Sequence, residues 1–385
     1  MRRLVTMIAV CFLWPVAAAI AHSGHEHPQA ESEAAHNDGA GLLTLAAQDD
    51  AARPASPIKV SGQGVLKFRV LYTSAHLPAQ ASSVIKRAHG GFAVDRRVGR
   101  GEIYFALPEA GILQISPDFE TIELVDTPQA ILDTNMHNTT IWYDSNENGY
   151  LTFPANGAAK VFTTSLRGAL MHTLDAPASS FKFGPDAVNV YFSDGGAFVP
   201  TDVEYVGGRY FVTTGYSKLD YVLTAKVSVQ KTAPVVSAQW TPMAFGGKGS
   251  DPGQFGTGHG VTLQPDGTTL IVADRPNSEL ERFSLKGEYS DVVKLPEGSF
   301  PCDVDFEAGY ALVGCLHGPD RAKGAPIYIL KDDLVVSTIM PKEDLGLANF
   351  QHIHNAVLVE REGKLYIIAQ AWNPGDFAIL EQVVN

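Results

Sequence analysis

Short apolar runs separated by polar turns recur along most of this chain. Runs rich in β-branched and aromatic residues, such as 269–274 and 365–371, alternate with clusters of Gly, Pro, Asn and Asp. This alternation favours β-strands joined by tight turns. No stretch shows a convincing long amphipathic helical period. The pattern therefore predicts an all-β fold.

Six segments of the chain can be aligned with one another, which indicates an internal repeat. Each copy predicts a strand, a polar turn, a second strand, a loop and a third strand, and the spacing is typical of propeller blades. Closing six blades into a ring buries both faces of every sheet, which no blade can do alone. We therefore predict a six-bladed β-propeller over residues 58–385. The copies begin at Ala88, Asn135, Val199, Gly258, Phe300 and His352.

The two ends of the predicted propeller fit ring closure. The run Phe377–Val384 predicts a late strand of the last blade. The run Gly64–Ser74 predicts a further strand that completes the same blade from the N-terminal side.

The N-terminal segment is typical of an exported protein. Residues 1–21 contain two arginines, an apolar run and a small-residue cleavage site, which predicts a signal peptide and a periplasmic or secreted protein. Residues 22–57 predict a disordered leader that starts with His22, His25 and His27. Its imidazoles could capture Zn²⁺ or Cu²⁺, or the segment is only a polar leader.

Charge narrows the range of partners. The formal net charge is −13 and the chain lacks a basic stripe. This argues against nucleic-acid binding and against docking on anionic lipid. The apolar run of the signal is too short for a confident membrane span, so we expect no stable membrane insertion.

Histidine is concentrated at one position of the repeat. The first strand of each propeller blade lines the central channel, so residues at its start converge on the axis. Four imidazoles at one height predict a transition-metal site. The alternative is that each His only packs in the channel, bonded to a backbone carbonyl. The residues at this position are His89, His137, Thr201, His259, Cys302 and His354.

A second position of the repeat, after the second strand, holds polar and aromatic residues that could bind a ligand beside the ring. Tyr216 and Arg275 are the main candidates, with His317 and the region 370–372. Cys302 and Cys315 flank a predicted hairpin. In an oxidising compartment this spacing favours a disulfide over a role for Cys302 as a metal ligand.

The repeats resemble NHL repeats, and in particular those of peptidyl-α-hydroxyglycine α-amidating lyases. The segments that carry the resemblance are GHGVTL with its ADR tail, PTDVEYV followed by TTGY, MHNTTIW and IHNAVLV. The resemblance implies a six-bladed propeller with an axial Zn²⁺ held by His137, His259 and His354. It also implies Tyr216 as a catalytic base, with its pKa lowered by the metal and by Arg275, and Arg275 as a clamp for negative charge.

The chain departs from that family at three points. The stretch 103–108 lacks the arginine expected in the first blade, Asn355 stands where an acid usually follows the last metal His, and His89 adds a fourth His to the ring.

These departures leave three functions open. The first, which is the leading interpretation, is a zinc-dependent lyase- or hydrolase-like enzyme that acts on a small-molecule or peptide substrate. The second is a zinc- or copper-binding protein without catalysis that passes metal to a metal-transport partner. The third is a protein-binding propeller with structural histidines. If His89 fills the fourth coordination position, the site is closed, which favours storage of the metal over catalysis.

Overall fold

Six antiparallel sheets account for nearly all of the regular structure. The computed structural model describes residues 58–230 and 235–384, so the predicted signal peptide and leader lie outside the described residues. The strands, in chain order, are β1 Ser61–Gln63, β2 Leu66–Thr73, β3 Phe92–Val94, β4 Ile103–Leu107, β5 Gly111–Ile115, β6 Ile122–Val125, β7 Thr140–Tyr143, β8 Gly149–Ala155, β9 Lys160–Ser165, β10 Leu170–Asp175, β11 Asp202–Val206, β12 Arg209–Thr213, β13 Tyr221–Val229, β14 Val236–Gly246, β15 Gly258–Leu263, β16 Thr269–Asp274, β17 Glu279–Ser284, β18 Tyr289–Lys294, β19 Phe300–Glu307, β20 Tyr310–His317, β21 Ile327–Lys331, β22 Leu334–Ile339, β23 Ile353–Arg361, β24 Lys364–Ala371 and β25 Asp376–Gln382.

The sheets are the blades of a six-bladed β-propeller, as the repeat predicts. Five blades have four strands each and run in chain order: β3 to β6, β7 to β10, β11 to β14, β15 to β18 and β19 to β22. The first strand of each blade is the inner one. The predicted three strands per copy therefore miss the outer strand of these blades.

The sixth blade is built from both ends of the described chain. Its strand order is β23, β24, β25, β2, β1. Strand β2 pairs antiparallel with β25, with Phe68 opposite Gln382 and Thr73 opposite Ala378. The predicted closure of the last blade by an N-terminal strand is confirmed.

Helices are short and lie between strands. They are α1 Ala79–Val84, α2 Gln129–Leu132 and α3 Asp186–Ser193, with 3-10 turns at Ser74–His76, Ile85–Arg87 and Asn156–Ala158. Among the described residues, no helix has the length and apolar character needed to cross a membrane.

The apolar core lies between neighbouring blades. Phe92 and Phe105 of the first blade, for example, pack with Phe377 of the sixth, and all three side chains are buried. Burying both faces of each sheet in this way is the main source of stability in a propeller.

Side-chain hydrogen bonds also join the inner strands of neighbouring blades. Asp202 on β11 accepts a bond of 2.8 Å from the backbone N–H of Val261 on β15. Asp305 on β19 accepts one of 2.7 Å from the backbone N–H of Leu358 on β23. These bonds hold the inner strands in register around the channel.

Candidate metal centre

Four histidines of the repeat position meet at one end of the channel. His137, His259 and His354 are completely or almost completely buried, and His89 is partly exposed. The ring centroid of His89 lies 4.5 Å from that of His137 and 4.6 Å from that of His354. The ring centroid of His259 lies 4.9 Å from that of His137 and 5.0 Å from that of His354. The predicted convergence is therefore present.

Ring nitrogens face one another within this cluster. The Nε2 atoms of His137 and His354 are 3.1 Å apart. His89, His137 and His354 each offer a ring nitrogen, and these nitrogens all lie within 4.8 Å of one another. These three residues could hold a metal ion. The predicted trio had His259 in place of His89; the His259 ring lies beside the same pair, but its nitrogen is not one of this group.

The next blade orients three of the imidazoles. Nδ1 of His137 lies 2.5 Å from the carbonyl oxygen of Thr201. Nδ1 of His259 lies 2.7 Å from that of Cys302, and Nδ1 of His354 lies 3.0 Å from that of Gly90. A carbonyl only accepts, so each Nδ1 carries the proton and each Nε2 keeps its lone pair for the axis. This is the arrangement that commonly positions histidine ligands of zinc.

A glycine permits the close approach at one of these contacts. A Cβ atom at Gly260, the residue after His259, would lie 2.6 Å from the carbonyl oxygen of Cys302. That carbonyl is the acceptor for His259, so a larger residue at 260 would force the two inner strands apart.

His89 is held differently from the other three. Its Nδ1 lies 3.5 Å from the side-chain nitrogen of Asn135, at the limit of a hydrogen bond. Its ring stacks on the indole of Trp372, with centroids 5.4 Å apart and an interplanar angle of 24°. His89 is therefore the least constrained histidine of the ring.

The environment keeps all four imidazoles neutral. Burial lowers the pKa of His89 from 6.5 to about 4, with a smaller effect from the charge of Arg275. Burial is also the main reason that the pKa values of His137, His259 and His354 lie well below the ordinary value. A neutral imidazole is the form that binds a metal ion, so the residues present fit a transition metal.

Tyr216 and Arg275 lie beside the ring, as predicted. The Tyr216 hydroxyl is 3.0 Å from Nε2 of His259 and 3.4 Å from Nε2 of His137. Arg275 donates to that hydroxyl at 2.9 Å. The guanidinium is 5% exposed, and its Nε has no hydrogen-bond partner in the described part of the chain. A buried cation without a paired carboxylate can attract an anion.

The lowered pKa predicted for Tyr216 depends on a bound metal, and in the protein without metal the pKa of the phenol is raised. Although 37% of the residue surface is exposed, its hydroxyl points inward to the buried His259 and Arg275. Burial raises the pKa of the phenol above its usual range, and the lowering effect of Arg275 is smaller.

The prediction of a disulfide between Cys302 and Cys315 is wrong. Cys302 and Cys315 are both buried free thiols. The Cys302 thiol donates to the carbonyl of Ile353 at 3.2 Å and accepts from Arg275 at 3.1 Å. Cys315 instead packs in the apolar core between β16 and β20. A strand irregularity opposite Cys315 pairs it with Pro301, so Cys302 faces the channel.

A second polar layer below the ring was missed by the sequence analysis. Asn355 donates to Asp303 at 2.6 Å and to the side-chain oxygen of Asn138 at 3.1 Å. An acid therefore does lie beside Asn355, but a different blade supplies it. Comparing the residue after each ring position across the repeat would have found this layer.

The remaining predicted residues form one wall of the channel mouth. His317 lies at the end of β20, and its ring centroid is 4.7 Å from that of His352, just before β23. The His352 ring is 6.1 Å from Trp372. Gln370 is fully buried; its amide nitrogen donates to the Ala371 carbonyl, and its side-chain oxygen has no hydrogen-bond partner among the described residues.

The chain has little sequence similarity to known proteins. No protein-family model matches the chain. A stretch of 35 residues, 9% of this chain, is 51% identical to the E3 ubiquitin-protein ligase TRIM56 of Mus musculus, and it spans 5% of that protein's length.

Two solved structures match most of the chain at low sequence identity. Virginiamycin B lyase from Staphylococcus aureus is 12% identical with a TM-score of 0.41, covering 77% of this chain and 96% of that chain. A streptogramin B lyase is 13% identical with a TM-score of 0.44, covering 83% of this chain and 98% of that chain. Neither similarity assigns a substrate or a reaction to this chain.

Proposed function

We propose that this protein is an exported zinc-binding β-propeller that holds the ion at the histidine ring and passes it to a metal-transport partner. The observation that carries the proposal is the convergence of four neutral imidazoles on the channel axis. Three are oriented by carbonyls of the next blade, and a ring nitrogen of the fourth, His89, lies within 4.8 Å of those of His137 and His354.

The donor set supports zinc. Imidazole nitrogen suits Zn²⁺ and Cu²⁺, whereas Ca²⁺ and Mg²⁺ prefer oxygen ligands. The three buried histidines would be the permanent ligands, because their Nδ1–H bonds already fix the orientation of each Nε2. His89 would complete a four-nitrogen set.

Two features favour holding the metal over catalysis. A fourth histidine closes the coordination position that a catalytic zinc keeps open. The stretch from Ile103 to Leu107 is the buried strand β4, which supplies no second arginine for developing negative charge.

A lyase- or hydrolase-like enzyme related to the NHL-type amidating lyases is the second candidate. The contact between Tyr216 and Arg275 beside the ring favours it. A bound zinc would supply Lewis acidity. Arg275 would hold a carboxylate of a small-molecule or peptide substrate, and the Tyr216 oxygen would take up a proton.

One pair of assays separates the two candidates. The zinc-loaded full chain is tested for transfer of zinc to a chelating acceptor and for turnover of α-hydroxyglycine derivatives, hydroxy acids and esters. We expect zinc transfer that is equal in wild type, in Tyr216→Phe and in the control Tyr289→Phe, and no turnover. Turnover that falls by about 10²–10⁴-fold in Tyr216→Phe alone would establish the enzyme instead.

A further inference from the structure

Two histidines at the channel mouth, which we call the mouth pair, are not part of the histidine ring. His317 and His352 are both partly exposed and belong to neighbouring blades. Their ring centroids are 4.7 Å apart at an interplanar angle of 87°. The ring pair His137 and His354 has a similar centroid distance and interplanar angle, at 4.6 Å and 88°.

One member of the mouth pair is already oriented as a ligand. Nδ1 of His352 lies 3.0 Å from the carbonyl of Leu316 and must therefore donate to it. With the proton on Nδ1, the lone pair of His352 lies on Nε2, which is the atom that could bind a metal ion. Leu316 directly precedes His317, so the same bond holds the two histidines together.

The indole of Trp372 packs against both His352 of the mouth pair and His89 of the ring. Trp372 lies between them, with centroids 6.1 Å from His352 and 5.4 Å from His89. His89 is the ring histidine that no carbonyl of the next blade holds among the described contacts. The least constrained ligand of the ring thus faces the mouth pair.

We propose that His317 and His352 form a second, weaker transition-metal site, through which zinc enters and leaves the ring by way of His89. Two imidazoles from this chain leave the other coordination positions to water or to donor groups of a partner. Such an open site suits transfer of a metal, whereas the buried ring suits retention. This inference rests on the proposed zinc-binding function of the ring.

The test uses the full chain and zinc alone. Wild type and the double variant His317→Phe with His352→Asn are titrated with zinc against a chromophoric indicator. Phenylalanine keeps the ring that packs on Phe300, and asparagine keeps a donor for the Leu316 carbonyl. Any zinc bound by the leader is the same in both proteins. His76→Ala, which removes a histidine at a distant turn, is the control.

We expect the double variant to keep the tight zinc and to lose one weaker equivalent. Uptake into the ring and release from it should slow by the same factor, because a site on the path changes both rates and leaves the ring affinity unchanged. Equal weak binding and equal rates in wild type and double variant would overturn the inference while the tight zinc remains. Absence of tight zinc in wild type would instead refute the proposed function.

Discussion

The four ring histidines are of two kinds, which differ in how each imidazole is held. His137, His259 and His354 each use one nitrogen as a donor to the next blade and keep the other for the axis. His89 instead stacks on Trp372 and remains partly exposed. A carbonyl bond lowers the cost of ordering a ligand, so the first three should determine affinity and His89 should determine exchange.

Replacing one histidine of each kind tests this distinction. His354→Ala should lose most of the bound zinc, because it removes an oriented ligand. His89→Ala should keep the zinc but release it more slowly to a chelator, because zinc leaves the ring by way of His89. Metal analysis and stopped-flow release measure the two effects. Equal metal loss in both variants would contradict the distinction, and His76→Ala is the matched control.

The sequence could predict which residues meet at the axis, but not how each is held. The repeat position alone identifies His137 and His354. The bond from His137 to the Thr201 carbonyl depends on the spacing of two blades after closure, which no local pattern contains. The pKa of Tyr216 also depends on burial that appears only when the ring closes.

A buried acid on a strand makes the stability of the folded protein depend on pH. Glu281 on β17 is 1% exposed, and one carboxylate oxygen accepts the backbone N–H of Gly253 at 3.0 Å. The other oxygen has no partner among the described residues. Burial raises the pKa of this carboxyl from the ordinary 4.5 to about 7.

The folded protein therefore binds this proton more tightly than the unfolded chain does. The contribution of Glu281 to stability is full below pH 4.5 and falls as the pH rises to about 7. The expected slope is about 1.4 kcal/mol per pH unit for one proton.

Glu281→Gln keeps the bond to Gly253 and removes the ionisation. Its free energy of unfolding should therefore increase relative to wild type as the pH rises from 4.5 to about 7, as measured by urea denaturation. A difference that stays constant across this pH window would contradict the account. Glu288→Gln, on an exposed turn, is the control.

Outer strands show why part of each blade was not predicted. β18 and β22 alternate irregularly between exposed and buried positions and lie at the edge of their sheets. Most of their positions are exposed or partly exposed, so the sequence carries little apolar signal there. The helix α3 was missed for a similar reason, since it buries only Val188 and Phe192.

For the whole molecule, stability depends on the joining of the two chain ends in the sixth blade. Phe68 on β2 is completely buried and packs with residues of the fifth and sixth blades. Because β2 is distant in sequence from β25, this contact closes the ring and holds the histidines in one cluster.

Phe68→Ala should therefore lower the free energy of unfolding by about 3–5 kcal/mol, the usual cost of removing a buried phenylalanine side chain. Val65→Ala, where the side chain is 76% exposed, should change it little. Urea denaturation measures both. Equal stability of the two variants would show that closure by β2 is not needed.

The most direct test of the metal centre is zinc analysis combined with X-ray absorption at the zinc edge of the full chain. We predict one tightly bound zinc per chain, with nitrogen ligands at about 2.0–2.1 Å, lost in His354→Ala. A tight zinc with sulfur at about 2.3 Å, or a tight zinc retained without His354, would contradict an all-histidine site on the channel axis.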